Sequence, residues 1–162
     1  MFDEASVAAP QAALDALNRV FIDRYHSLAE YILEASPYVA PENQRLVQRI
    51  QAVADFDRQE AGNIARLIES LGGVPRVGPY PRRIAELNYL SIQYLCGFLA
   101  DCLLGQIAAY TALLPSVSKC PEARDSIISL IAALQDLAGA LKMPGSTTSR
   151  KENIESDLNS RI

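Results

Sequence analysis

The sequence predicts an all-α fold, a single four-helix bundle in which one long connection joins two helical hairpins. Three observations carry this. Apolar residues recur every three or four positions through four long stretches. All nine prolines fall outside those stretches. No segment alternates apolar and polar residues as a half-buried strand does. The chain of 162 residues, 49% apolar and 21% charged, suits one domain with a real core.

The first helix is expected over 14–35, after a short N-terminal segment, 1–13. Its apolar stripe is Leu17, Phe21, Leu28, Tyr31 and Ala35. Ser36-Pro37 stops it, because proline lacks an N–H and restrains its predecessor. After Tyr38-Val39-Ala40-Pro41 the second helix begins, with Pro41 and Glu42 suited to a first turn. Its stripe is Leu46, Ile50, Val53, Ile64, Leu67 and Leu71, and Gly72-Gly73 closes it where positive φ is wanted.

The run GGVPRVGPYP, Gly72 to Pro81, opposes helix. Extended, it reaches at most roughly 33–36 Å. That spans most of a bundle and predicts a crossover between the second and third helices. The third helix is expected over 82–114, ended by Pro115 and rich in small residues such as Gly97, Ala100, Gly105, Ala108 and Ala112. The fourth runs over 122–141, with Ile127, Ile131, Leu134, Ala138 and Leu141 as its stripe and Pro144-Gly145 as its stop. The bundle thus covers 14–142. A polar tail, 143–162, follows. Ile154, Leu158 and Ile162 stand four apart in it, which leaves open a short docking helix or an unstructured tail.

A net charge of −4 and a pI near 5.0 argue against nucleic acid and anionic membranes as partners. No apolar run is expected to reach the ~20 residues of a membrane span. Met1-Phe2-Asp3-Glu4 lacks the basic region of a signal peptide, so a cytoplasmic protein is expected. Cys96, Cys102 and Cys120 are odd in number and show no C-x-x-C spacing, and they read as small buried hydrophobes. His26, the one histidine, reads as a surface or subunit-interface residue.

Charged residues fall on the apolar stripes. The first stripe, continued at its own period, passes through Arg24. The second passes through Asp57 and Glu60. A stripe on the third, 87, 91, 94, 98, 101, 105 and 108, takes in Tyr94 and Asp101. A buried charge without a partner costs several kcal/mol. Arg24 is therefore expected to pair with Asp57, Glu60 or Asp101, unless these charges lie at the stripe edge and reach water.

Leu17-Asn18 followed by Glu30-Tyr31-Ile32-Leu33-Glu34-Ala35, and AGNIARLIESLGGVP from Ala61 to Pro75, resemble the ferritin-like superfamily, specifically its bacterioferritin and rubrerythrin relatives. The resemblance covers the first two helices and the crossover, while the last two helices match in pattern only. It implies a ferritin-like bundle whose family holds two metals between the helices. The ligands are a Glu from helices one and three and a Glu-x-x-His from helices two and four. Carried onto this chain, the first glutamate falls on Arg24. The first Glu-x-x-His falls on Asp57-Arg58-Gln59-Glu60, and the third-helix glutamate falls near Asp101. The fourth helix offers Gln135 and Asp136 beside its stripe and no Glu-x-x-His. A guanidinium has no lone pair for a metal. The expectation is a degraded site without cofactor. In it Arg24 replaces the metal charge, Asp57 and Glu60 are its counter-ions, and Tyr31 and Tyr94 complete the hydrogen bonding.

Three functions follow. The first is a non-catalytic oligomerising or binding protein, dimeric through the faces that carry Tyr25, His26, Tyr89 and Ile92, with its small ligand unknown. The second is an oxidase or metal-storage protein with a carboxylate-only site of Asp57, Glu60 and Asp101. Hard oxygen ligands of that kind suit Mg, Mn or Ca better than Zn, and the resemblance adds the family's Fe. The third is a carrier whose small third-helix residues, around Gly97 and Gly105, line an apolar cavity. One histidine permits no Ser-His-Asp or Cys-His arrangement to be read, and Gly72-Gly73 ends a helix rather than opening a phosphate loop.

Overall fold

A computed structural model describes residues 9–79, 87 and 89–143. Among them every regular element is helical: α1 (Gln11–Tyr25), α2 (Leu28–Glu34), α3 (Gln44–Ser70), α4 (Ile92–Leu113) and α5 (Pro121–Lys142), with 3-10 turns at Pro41–Asn43 and Leu114–Val117. The expected tail helix and the segment 1–8 lie outside the described residues.

The expected first helix is two helices. α1 starts at Gln11 rather than Leu14, and it ends where His26 leaves helical geometry (φ −96°, ψ 62°). Ser27 then caps α2, its hydroxyl accepting from the Glu30 amide at 3.3 Å. Ser27-x-x-Glu30 is half of a capping box, a start signal readable in the sequence. The break turns the buried face: Ala29 and Ile32 enter the core, while Leu28, Tyr31 and Ala35 are left half-buried.

α3 ends as expected. Gly72 takes φ +81°, and the Gly73 amide donates to the Ile68 carbonyl at 2.9 Å. A Cβ on Gly73 would lie 2.8 Å from the Leu14 side chain, so α1 and α3 approach closely there. Leu14 near the end of α3, and Arg24 beside Asp57 in its middle, make α1 and α3 antiparallel. Cys96 in α4 reaches the Leu46 carbonyl near the start of α3, so α3 and α4 begin at the same end. Lys142 at the end of α5 pairs with Asp101 early in α4 at 3.1 Å, so α5 runs back along α4. The connection between Ser70 and Ile92 must therefore return along the bundle. α3, with 27 residues, is about 40 Å long.

The third long helix begins later than expected. Residues 82–86 and 88 lie outside the described residues, Leu87 is in a 3-10 turn, and α4 begins only at Ile92, capped by Ser91, whose hydroxyl accepts from the Tyr94 amide. The connection's first part is fastened to α1. Asn18, buried, accepts from the Arg76 amide at 2.7 Å and donates to the Leu14 carbonyl at 3.1 Å. His26 Nε2 lies 2.6 Å from the Val77 carbonyl, and Gly78, at φ +65°, stands against Ile22.

α4 overturns one expectation. The stretch Ile92–Val117 is long and apolar enough to cross a membrane by length and composition, with mean hydropathy 1.5, and only 22% of its most apolar window is buried in the bundle. Replacing Asn18 by Ala strands the Arg76 amide and the Leu14 carbonyl. The expected loss is about 1–3 kcal/mol in chemical unfolding. Faster hydrogen exchange at the Arg76 amide, ahead of core amides, is the local signature.

Candidate functional site

The centre of the site is a guanidinium inside the bundle. Arg24, in the last turn of α1, is 1% exposed, and Asp57, at the middle of α3, is 3% exposed. Arg24 Nη1 donates to Asp57 Oδ1, and Nη2 donates to Gln106 Oε1 and, at 3.4 Å, to the Tyr110 hydroxyl. Tyr110 in turn donates to Asp23 Oδ2 at 2.8 Å. The second oxygen of Asp57 accepts from the Ser27 hydroxyl at 2.7 Å. Four helices thus meet around one charge, and the break between α1 and α2 supplies Ser27. The Tyr110 ring centroid is 5.9 Å from the Arg24 guanidinium carbon, a further contact with the cation. Arg24 Nε alone has no partner among the buried side-chain polar atoms of the described residues.

The electrostatics follow from burial and pairing. Burial disfavours the charge on Arg24, but Asp57, with Tyr110 and Asp23, outweighs it and holds the guanidinium above its usual value. Burial pushes the Asp57 carboxyl above the ordinary range, against the pull of Arg24 and of the Ser27 hydroxyl. Burial likewise raises the Tyr110 phenol far above its ordinary value, with Asp23 adding to the shift and Arg24 opposing it. A guanidinium does not deprotonate in proteins, so the ionised Asp57 is the form that neutralises it.

The other expected members lie elsewhere. Glu60 is on the flank of α3, accepting from Asn63 at 2.8 Å. The buried stripe steps by four after Asp57, through Ala61, Ile64 and Ile68, and not by three to Glu60 and Leu67. Asp101 has a side chain 73% exposed and pairs with Lys142. Tyr94 is exposed and stacks on Phe98, ring centroids 6.3 Å apart. Both miss the centre because the buried face of α4 is Ile92, Leu95, Cys96, Leu99, Ala100, Leu103 and Tyr110, one to two residues on from the expected stripe. One residue is a turn of about 100°. Tyr31 stays near but bonds His26, its hydroxyl 3.0 Å from Nδ1.

Asp57, Glu60 and Asp101 therefore do not converge, and among the described residues no three His, Cys, Asp or Glu side chains do. Gly97 and Gly105 face open space, so the expected cavity beside them is not formed. Ile92 is buried and so cannot belong to the expected dimer face, while His26 is turned to the crossover. Cys96 and Cys120 are buried and Cys102 half-buried.

Sequence reasoning missed Asp23, Ser27, Gln106 and Tyr110. Ser27 had the capping signal. Gln106 and Tyr110, four apart on an otherwise apolar helix, share a face, and that spacing was the available signal.

Two cavities flank Arg24. One of about 820 Å³ lies between α1, α2, α3 and the start of the crossover, lined by Phe21, Tyr25, Tyr31 and Gly62 among others. The second, about 350 Å³, lies on the α4 side and touches Asp23, Asp57, Cys102 and Gln106.

Asp57→Asn leaves the guanidinium buried without a counter-charge and is expected to cost about 3–5 kcal/mol in denaturant unfolding. Arg24→Met combined with Asp57→Leu should cost much less than the sum of the single variants, because neither charge is then stranded. The folded Tyr110 phenol holds its proton above the ordinary value of 10.0 at which the unfolded one releases it. Its contribution to stability is therefore complete below that pH and falls as pH rises beyond it. Absorbance titration should show one phenol that ionises only after the exposed tyrosines, and Tyr110→Phe should remove that late component. In comparisons with known proteins, no family model, curated protein or solved structure matches the chain.

Proposed function

We propose that the chain is a non-catalytic ferritin-like bundle that works by binding and self-association, with an arginine–aspartate pair in place of a di-metal centre. The supporting observation is the buried Arg24–Asp57 pair. In the alignment given by the resemblance, these two side chains take the positions of ligands from the first and second helices. A fixed cation there neutralises the acid that a metal would otherwise use, and it repels a second cation. The antiparallel α1–α3 and α4–α5 pairs, joined by a link that returns along the bundle, agree with that architecture.

The centre is also poor in groups able to do chemistry. Arg24 is permanently protonated, Asp57 is engaged on both oxygens, and the Tyr110 phenol is held neutral by burial. None of the three is a base or nucleophile poised near neutral pH.

The open side of α4 supports self-association. Its outward residues, Gly97, Leu104, Gly105 and Ala108 among them, carry one charge, Asp101, already paired with Lys142. A surface of that kind meets a second copy of itself without stranding charge.

Protein purified without chelator from iron- and manganese-supplemented cells is expected to hold far less than one metal atom per chain by mass spectrometry. Light scattering in detergent-free buffer should give the mass of a dimer. Stoichiometric metal lost on mutating Asp57 would overturn the metal-free centre. A monomer that partitions into vesicles would overturn self-association.

A further inference from the structure

We propose that the 820 Å³ cavity binds a small aromatic carboxylate. This deepens the binding part of the function proposed above and rests on it. The volume is within the range of small-molecule sites. Phe21, Tyr25 and Tyr31 give it aromatic walls suited to stacking on a flat ring, and Ala61, Gly62 and Ala65 make an α3 floor without bulk.

Two local irregularities border this one space. The first is Gly62, in the interior of a 27-residue helix. A Cβ there would meet nothing nearer than the Arg66 guanidinium at 3.8 Å, so packing does not demand glycine. A mid-helix glycine is unfavourable to the helix. What its missing side chain preserves is the cavity. The second is Arg24, which lines the cavity and whose Nε–H is buried without an acceptor. Departures from local rules that do not serve the fold are expected to collect at binding sites.

The cationic N–H donors on the lining, rather than net charge, select the ligand. The cavity lining holds two guanidiniums, Arg24 and Arg58, against one carboxylate, Glu30. Asp57 and Asp55 engage those arginines from outside the lining. Arg58 stands at the mouth with its side chain largely in water, one terminal nitrogen on Glu30 at 2.7 Å and the other 3.5 Å from Asp55, a long exposed contact that an incoming carboxylate can displace. The smaller cavity carries the opposite balance, Asp23 and Asp57 against Arg24, and does not suit an anion. The roof of the larger one is the crossover, held at Val77 by His26. Arg24 Nε is closed to bulk water in this conformation. Reaching it takes a turn of a wall side chain, and Tyr25, half exposed and in ring contact with Phe21 and His26, is the most exposed of the aromatic walls.

Isothermal titration calorimetry of the full chain with benzoate and phenylacetate, against benzamide and benzylamine, tests this. The acids are expected to bind once per chain, with benzamide at least about tenfold weaker and benzylamine silent. Gly62→Leu, which favours the helix and fills the floor, should abolish binding with the circular dichroism unchanged. Arg58→Gln should weaken it by about tenfold. The Arg24 Nε–H resonance should move on adding benzoate to the parent chain and stay still in Gly62→Leu. Equal binding of acid and amide overturns the proposal, as does binding that survives Gly62→Leu, or no heat with millimolar acid. A chain that is metal-free yet takes neither acid loses this inference and keeps the metal-free reading. A chain that holds metal at Asp57 loses that reading, whatever the cavity binds.

Discussion

Everything in the interior is arranged around the charge on Arg24. A guanidinium removed from water must regain its hydrogen bonds and its counter-charge inside the protein, or the fold loses several kcal/mol. Asp57 supplies the counter-charge from α3, and Gln106 and Tyr110 supply acceptors from α4. Ser27, at the head of α2, holds the far oxygen of the aspartate. The arrangement satisfies the two terminal nitrogens and leaves Nε over.

That requirement ties the register of separate helices to one another. If α3 slid by one residue, Asp57 would turn away by about 100° and the arginine would be stranded. An apolar contact tolerates such slippage more easily, since hydrophobic attraction has no direction. The polar centre therefore contributes orientation more than net stability, the role best established for buried polar groups in helical assemblies. The same region sets the path of the long connection. Asn18 and His26, on either side of the charge along α1, hold Arg76 and Val77 of the crossover by their backbone. The roof of the larger cavity and the neutralisation of the interior charge thus depend on one helix.

α4 shows how far apolar composition and burial can part company. It is the most apolar stretch of the described chain, yet of its small residues Gly97, Gly105 and Ala108 face outward, while Cys96 and Ala100 face in with Leu103 and Tyr110. Tight packing against α5 is not what the outward ones provide. Their side of the helix is apolar and exposed, and self-association is the reading proposed for it.

Much was determined by local pattern alone. Apolar spacing gave the helical class, Pro37 and Gly72-Gly73 gave two helix ends, and the run after Gly72 gave a non-helical link. Arg24 and Asp57 lay on their stripes by simple counting, and a buried charge demands an opposite one. Tertiary structure decided the rest. At Asp57 the next inward step was three residues, to Glu60, or four, to Ala61, and only packing against α1 and α5 chose the second. In α4, apolar around most of its circumference, no contrast between faces marked the inner one. Reading it one to two residues early put Asp101 and Tyr94 inside and left Gln106 and Tyr110 out. Periodicity locates a face only where polar and apolar sides differ, and the partner of a buried charge is chosen in three dimensions by which helices meet.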